Sequence, residues 1–176
     1  MDSLMCGMKL RSSFLAWAGI VLVWGSRAAA SPMEDVQRWI SHLNENERRQ
    51  AVLGWSDPER RHVSWIPGIR AGLPVRAMRP EVQTAVWTLL KAQLSPGGFE
   101  AVRTVLSQER ILQRVQGTAT FLDPGAYYFA IFGNPGPTLW GLRFEGHHLS
   151  LNLTYDGNDM ISGTPLFIGS NPEPFD

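Results

Sequence analysis

The sequence has 176 residues, of which 44% are hydrophobic and 18% charged, and its 16 basic and 16 acidic residues give a formal net charge of zero. This is the composition of a folded protein of one domain, because disorder requires low hydrophobicity together with high net charge. The neutral balance argues against a nucleic-acid-binding protein, which needs clustered basic residues to contact phosphates.

The N-terminus has the pattern of a secretory signal peptide. Two basic residues precede an uncharged, largely apolar run over residues 12–26, and the small residues Ala28 and Ala30 suit a signal peptidase. We expect cleavage after Ala30, so that residues 31–176 are exported to the periplasm or the exterior and keep no membrane span. The alternative is a retained membrane anchor, but the run is shorter than the roughly 20 apolar residues that a span needs.

The only cysteine, Cys6, lies within this leader. The exported part therefore contains no thiol. A disulfide framework, a cysteine nucleophile and a thiolate metal site are all excluded there, and its stability must come from the core.

The exported part is predicted to begin with two helices. Ser31 and Glu34 form a capping-box pattern ahead of the first helix, and Asn44 with Glu47 repeats that pattern ahead of a shorter second one. The region from Trp55 to Pro80 is rich in proline, glycine and apolar residues, which predicts a long irregular loop. Loops of this length in small domains often border a functional site.

Two further helices are predicted after the loop, one opening at Pro80 and one running from Ser95-Pro96 to Gly117. Glu109 lies on the apolar face of the last helix. The other members of that face are Phe99, Val102, Val105, Leu106 and Leu112. A buried carboxylate needs a partner or a raised pKa. The favoured interpretation is a structural pair with an arginine from the loop, and the alternative is a functional acid.

The C-terminal half has the periodicity of strands. Residues 126–133 predict a central strand, residues 139–154 are extended, residues 156–159 form a hairpin turn, and residues 160–169 form a last strand. The predicted fold is therefore α+β, a single domain over residues 31–176 in which N-terminal helices pack on a C-terminal antiparallel β-meander.

The alternation of apolar residues changes phase at Gly146. The apolar residues are Trp140, Leu142 and Phe144 before it and Leu149, Leu151 and Leu153 after it. We expect a β-bulge at Gly146, and a tight turn there is the alternative explanation.

With a bulge, one strand face would be polar and rich in groups that carry chemistry, while His147 would point toward the core. The residues of that face would be Arg143, Glu145, His148, Ser150, Asn152 and Thr154. Glu145 with His147 or His148 could form an acid/base pair, or these residues could bind Zn, Cu or Fe. The structural alternative is that backbone carbonyls hold the histidines and solvent covers the polar face.

Supporting roles follow from the same pattern. Arg143 would orient an anionic group, and Glu109 would be a second, buried carboxylate. A third metal ligand would have to come from His62, Glu109 or His42. Motifs of serine hydrolases, zinc proteases and nucleotide-binding loops do not occur in the sequence.

Three segments resemble an uncharacterised, mainly bacterial family known as domain of unknown function 3500. They are Tyr127 to Gly133, Trp140 to Asn152, and Gly163 to Pro172. The resemblance implies export, an α+β fold and a focus on Glu145, His147 and His148, but no established reaction. Members of that family usually continue with a further helical portion, so the chain resembles a C-terminally shortened member.

Two functional hypotheses remain. The first is an exported enzyme or metalloprotein in which Glu145 works with one of the two histidines. The second is a non-catalytic cell-envelope or secreted binding domain with structural histidines, whose apolar loop Trp65–Leu73 docks a protein partner.

Overall fold

A computed structural model describes residues 30–116 and 122–169. The expected signal peptide therefore lies outside the described residues except for Ala30. No helix within the described ranges is long and apolar enough to cross a membrane.

Four α-helices occur in the described part of the chain. They are α1 (Pro32–His42), α2 (Glu45–Ala51), α3 (Pro80–Gln93) and α4 (Pro96–Gln116). Both predicted capping boxes are present: the Ser31 side chain accepts from the amide of Glu34, and the Asn44 side chain accepts from the amide of Glu47. The observed caps confirm the predicted starts of α1 and α2. Each cap satisfies backbone amides that have no intrahelical partner.

The strands form one sheet in the order β1-β3-β4-β5-β6, in which β2 also pairs with β3 and β7 with β5. Their bounds are β1 (Val52–Leu53), β2 (Leu73–Pro74), β3 (Tyr128–Phe132), β4 (Leu139–Gly146), β5 (Leu149–Asp156), β6 (Asp159–Ser162) and β7 (Leu166–Ile168). The predicted antiparallel meander from β3 to β6 is confirmed, although the parallel pairing of β1 with β3 makes the sheet mixed. The α+β prediction is therefore correct.

The last strand is not continuous as predicted. It is two short strands, β6 and β7, which pair with opposite ends of β5. The interruption contains Gly163 and Pro165. Proline has no amide hydrogen to donate to a neighbouring strand, and glycine weakens strand structure, so the chain leaves the sheet between the two pieces.

The helices cover one face of the sheet, where the alternating apolar side chains of the strands are buried. Trp39 of α1 packs edge-on against Phe129 of β3, with ring centroids 4.6 Å apart. Trp140 and Tyr155 stack on neighbouring strands at 4.2 Å. This face is the hydrophobic core of the domain.

The predicted long loop contacts the opposite, polar face of the sheet. It is mostly irregular, as expected, but contains short 3-10 helices at Pro58–Arg61 and Val75–Ala77 as well as β2. Its backbone contacts side chains of β4, which buries groups that the sequence alone would leave to solvent.

The predicted bulge at Gly146 is wrong, and the alternative, a tight turn, is correct. Gly146 pairs directly with Leu149, so His147 and His148 form a two-residue turn between β4 and β5. A hairpin turn reverses the chain, and residues that pair across it point to the same face. Phe144 and Leu151 are such a pair, which explains the change from even to odd apolar positions without an inserted residue.

Candidate functional site

The His147–His148 turn is held by hydrogen bonds from three separate parts of the fold. The Tyr127 hydroxyl donates to the carbonyl of His147 at 2.7 Å. The amide of His148 donates to the carbonyl of Trp65 in the long loop, and the amide of Gly169 donates to the carbonyl of His148, both at 2.8 Å. The turn is therefore a fixed element and not a free hairpin end.

Close packing around the turn requires residues without side chains. A Cβ atom at Gly146 would lie 2.5 Å from Cε1 and 2.6 Å from Cγ of Tyr127. A Cβ atom at Gly169 would lie 2.9 Å from Nδ1 of His148. His148 itself has a φ of 57°, in the left-handed region that favours glycine or asparagine. His148 therefore occupies a turn position whose backbone conformation would be less strained with glycine or asparagine.

Glu109 of α4 reaches the turn and contacts His147. Its Oε2 lies 2.9 Å from Nδ1 of His147, and the two side chains are only 2% and 9% exposed. The expectation that Glu109 is buried is confirmed. The favoured partner, an arginine from the loop, is wrong, because the hairpin turn delivers His147 to the same end of the core.

Burial shifts the pKa values of these two groups in opposite directions. Burial raises the pKa of Glu109 to about 7, and the charge of Asp123 adds to the rise while His148 opposes it. Burial lowers the pKa of His147, and the positive charge of Arg70 lowers it further. Burial therefore disfavours the charged form of both groups, and because they are in contact they titrate as a coupled pair.

His148 lies beside this pair. Its ring centroid is 4.0 Å from that of His147, with the planes tilted by 44°. Burial and the neighbouring His147 lower the pKa of His148, while Glu109 opposes that shift. The second carboxylate oxygen of Glu109, Oε1, is buried and accepts no hydrogen bond from the described residues. Such atoms are rare in folded proteins and are often found at functional positions.

Glu145 belongs to a different cluster, on the loop-covered face of the sheet. Its Oε1 accepts from the amide of Ser64 at 2.8 Å and from Nε of Arg70 at 3.2 Å. Its Oε2 accepts from the hydroxyl of Ser150 at 3.4 Å and lies 3.3 Å from Nε of Arg143. Two arginines thus neutralise a carboxylate that is 1% exposed.

Arg143 is equally buried and binds the loop backbone. Its Nη1 donates to the carbonyls of Glu59 and His62, each at 2.7 Å, and its Nη2 donates to the carbonyl of Ala71 at 3.2 Å. A guanidinium with a planar set of donors is suited to several carbonyls at once. These contacts give Arg143 and Glu145 a structural role in attaching the loop to the sheet.

The other predicted metal ligands lie away from the turn. His62 is 63% exposed and lies 3.5 Å from Glu59, and His42 is exposed at the end of α1. Within residues 30–116 and 122–169, no group of three or more His, Cys, Asp or Glu side chains is arranged to hold a metal ion. Metal binding by Glu145, His147 and His148 stays a prediction.

Sequence reasoning missed two residues that shape the site. Arg70 pairs with Glu145, and Tyr127 anchors the histidine turn. A weak signal existed for Arg70, a lone charge between Ile69 and Ala71 in an apolar loop, where a buried cation needs a buried anion. Tyr127 carried no signal that separates it from the other aromatic residues of the core.

Fold and site together define an α+β domain in which a buried Glu-His pair lies between the last helix and a hairpin turn of the sheet. A model of the family described as "Protein of unknown function (DUF3500)" matches residues 26–176. The chain therefore belongs to this family. No curated protein and no solved structure matches it.

Proposed function

We propose that this is an exported protein in which Glu109 and His147 form an acid/base site. The observation that carries the proposal is the 2.9 Å contact between the buried Glu109 carboxyl and Nδ1 of His147. A carboxyl group on one ring nitrogen orients the imidazole and sets which nitrogen holds the proton, leaving Nε2 for chemistry.

The pair can both accept and release a proton near neutral pH. When Glu109 is ionised, Nδ1 of His147 donates to it and Nε2 is an unprotonated base. When one proton is added to the pair, Nε2 carries a hydrogen and becomes an acid. Because burial raises the pKa of Glu109 to about 7, this exchange falls in the range where general acid/base catalysis is most effective.

Export rests on the leader pattern of residues 12–30. The start of the fold is compatible with it, since Ser31 caps α1 directly after the expected cleavage site at Ala30. Mass spectrometry of protein recovered from the exported fraction tests this part of the proposal. A mature N-terminus at Ser31 is expected, and an intact leader in membranes would contradict it.

Hydrolysis of an activated ester tests the acid/base site without knowledge of the natural substrate. We expect the folded protein to hydrolyse p-nitrophenyl acetate with a rate that rises through pH 7. Burial raises the pKa of Glu109 to about 7, and when its carboxyl group ionises, Nε2 of His147 becomes an unprotonated base. His147→Gln should lower the rate by about tenfold or more. Glu109→Gln should shift the inflection of the pH profile downward, since the pKa of His147 is lowered by burial.

The matched control is His62→Gln, which removes an exposed imidazole distant from the pair. Its rate should equal that of the unmodified protein. A rate that is insensitive to His147→Gln, or a pH profile unchanged by Glu109→Gln, would contradict the proposal. Circular dichroism of each variant establishes that it is folded before the rates are compared.

The metal form of the function is tested separately by elemental analysis. Zn, Cu or Fe retained in stoichiometric amount by the protein from its native compartment, and lost in a His147→Ala/His148→Ala double variant, would support it. Glu145→Gln shows whether Glu145 is one of the metal ligands. The sequence predicts it as a ligand, but in the structure its carboxylate contacts Ser64 and Arg70.

A second candidate function is a non-catalytic binding domain, which the surface of the loop favours. Trp65, Ile66 and Ile69 are 46%, 64% and 80% exposed, an apolar group that marks interaction surfaces. A photoreactive amino acid in place of Ile69 should then crosslink one protein in the native compartment. The same probe in place of Ile111, an exposed apolar residue of α4, should not.

A further inference from the structure

A groove between α3 and α4 lies apart from the Glu109–His147 pair. It consists of two adjoining cavities of about 610 and 510 Å³, which share Trp87, Leu106 and Arg110 among their lining residues. Both volumes are within the range of small-molecule sites, which is roughly 300–1,000 Å³.

The groove carries an excess of positive charge. Its basic residues are Arg76, Arg103, Arg110 and Arg114, and its acidic residues are Glu100 and Asp123. Both acids are engaged: Glu100 lies 3.6 Å from Arg103, and Asp123 lies 3.7 Å from Arg76. Over residues 30–116 and 122–169, Arg110 and Arg114 have no carboxylate within ion-pair distance.

The spacing of the arginines places them along the groove. Positions 103, 110 and 114 are seven and four residues apart, which are helical repeats that lie on one side of α4. Arg110 lines both cavities, so it stands at their junction. An acidic group bound to Arg110 at the junction would therefore lie between the guanidinium groups of Arg103 and Arg114 along the helix.

The floor of the groove is apolar and fixed. The Trp87 ring meets the Phe144 ring edge-on, with centroids 5.7 Å apart and planes at 85°. Leu106 is buried, and Phe99 also lines the larger cavity. A ring held in this way can pack against the apolar part of a ligand without losing much conformational freedom.

We propose that this groove binds a small organic anion, whose carboxylate or phosphate group contacts Arg110 and whose apolar part packs on Trp87 and Leu106. Cationic residues above an aromatic floor select this chemistry, because inorganic anions gain nothing from the floor and neutral apolar molecules gain nothing from the arginines. The site does not depend on the acid/base function, since Glu109 and His147 line neither cavity.

Binding of a pair of dyes to the full chain tests this. Anilinonaphthalene sulfonate combines an acidic group with aromatic rings, and phenylnaphthylamine is its neutral analogue. We expect saturable binding of one sulfonate dye per chain, weaker binding of the neutral analogue, and competition by decanoate but not by inorganic phosphate alone. Arg110→Gln should weaken binding of the sulfonate dye by about tenfold, the loss expected for a hydrogen bond to a charged group.

The matched control is Arg48→Gln, which removes an exposed arginine of α2 away from the groove and should leave dye affinity unchanged. Trp87→Leu is a second groove variant and should weaken both dyes. Equal affinity of Arg110→Gln and the unmodified chain would overturn the proposal, as would equal affinity for the two dyes. His147→Gln should bind the sulfonate dye with unchanged affinity, because His147 lines neither cavity. The result for the groove is therefore separate from the result for the acid/base proposal.

Discussion

The Tyr127 ring occupies the space that a side chain at position 146 would need, while its hydroxyl donates to the carbonyl of His147. One aromatic residue thus sets both the path of the β4–β5 turn and the place of the imidazole that meets Glu109. The Glu-His pair consequently depends on the packing of Tyr127 against Gly146.

Replacing Gly146 tests this dependence. Gly146→Ala should lower the free energy of unfolding by about 1–3 kcal/mol, because the added methyl group overlaps the buried Tyr127 ring. Urea denaturation measures the change. Gly54→Ala is the control, since a Cβ atom there meets no atom within 4 Å. Equal stability of the two variants would show that the ring moves aside easily.

The attachment of the loop to the sheet should depend on Glu145. Glu145→Ala leaves Arg70 buried without its counter-charge and Arg143 with only the partly exposed Glu59, and removing one partner of a buried ion pair costs about 3–5 kcal/mol. Trypsin should then cleave faster after Arg60 and Arg61 in the loop. Urea denaturation and timed digestion measure the two effects.

The control for Glu145→Ala is Glu59→Gln, because Glu59 is 41% exposed and its side chain lies 3.8 Å from Arg143. Because Glu59 is partly exposed and its contact with Arg143 is long, we expect Glu59→Gln to cost much less than Glu145→Ala, about 1 kcal/mol. If both variants lose the same stability, the network around Glu145 does not hold the loop.

The buried Glu109 should make stability depend on pH. Its pKa rises from 4.5 in the unfolded chain to about 7 in the folded one, so the folded state keeps a proton that the unfolded state has released. Stability should therefore fall as pH rises from 4.5 to 7, by up to about 3 kcal/mol from this residue.

Glu109→Gln removes that contribution and retains a polar group toward His147. The stability of the unmodified protein relative to this variant should decline between pH 4.5 and pH 7 and stay constant above it. Denaturation in urea at several pH values measures the difference. Glu100→Gln, at an exposed position on the same helix, should show no such trend. A constant difference for Glu109→Gln would mean that the carboxyl titrates normally.

The left-handed backbone at His148 predicts opposite effects of two substitutions. His148→Gly should be neutral or stabilising by up to about 1 kcal/mol, because glycine adopts a φ of 57° without strain. His148→Val should destabilise the fold, because a β-branched residue is poorly accommodated there. Thermal unfolding compares the two, and greater stability of the valine variant would refute the backbone argument.

Features that depend on neighbouring residues were predictable. The starts of α1 and α2 follow from Ser31 with Glu34 and Asn44 with Glu47, because a capping box is completed within four residues. The inward orientation of Glu109 follows from the helical repeat of α4. The side of the sheet occupied by Arg143 and Glu145 follows from alternation along β4.

The phase change at Gly146 shows where such reasoning stops. Alternation alone is equally compatible with a bulge and with a turn, since both shift the apolar positions by one. The pairing of Gly146 with Leu149 decided between them, and that pairing is a property of the assembled hairpin.

The sequence by itself determined the α+β class, the helix starts and the burial of Glu109. Only the tertiary structure decided the partner of Glu109 and the burial of Arg70, Arg143 and Glu145. Glu109 meets His147 across 38 residues, and Arg70 meets Glu145 across 75. The helical repeat of α4 indicates that Glu109 is buried. Which group it meets, and which polar side chains the loop covers, depends on how helices, loop and sheet pack, and no periodicity within one element carries that information.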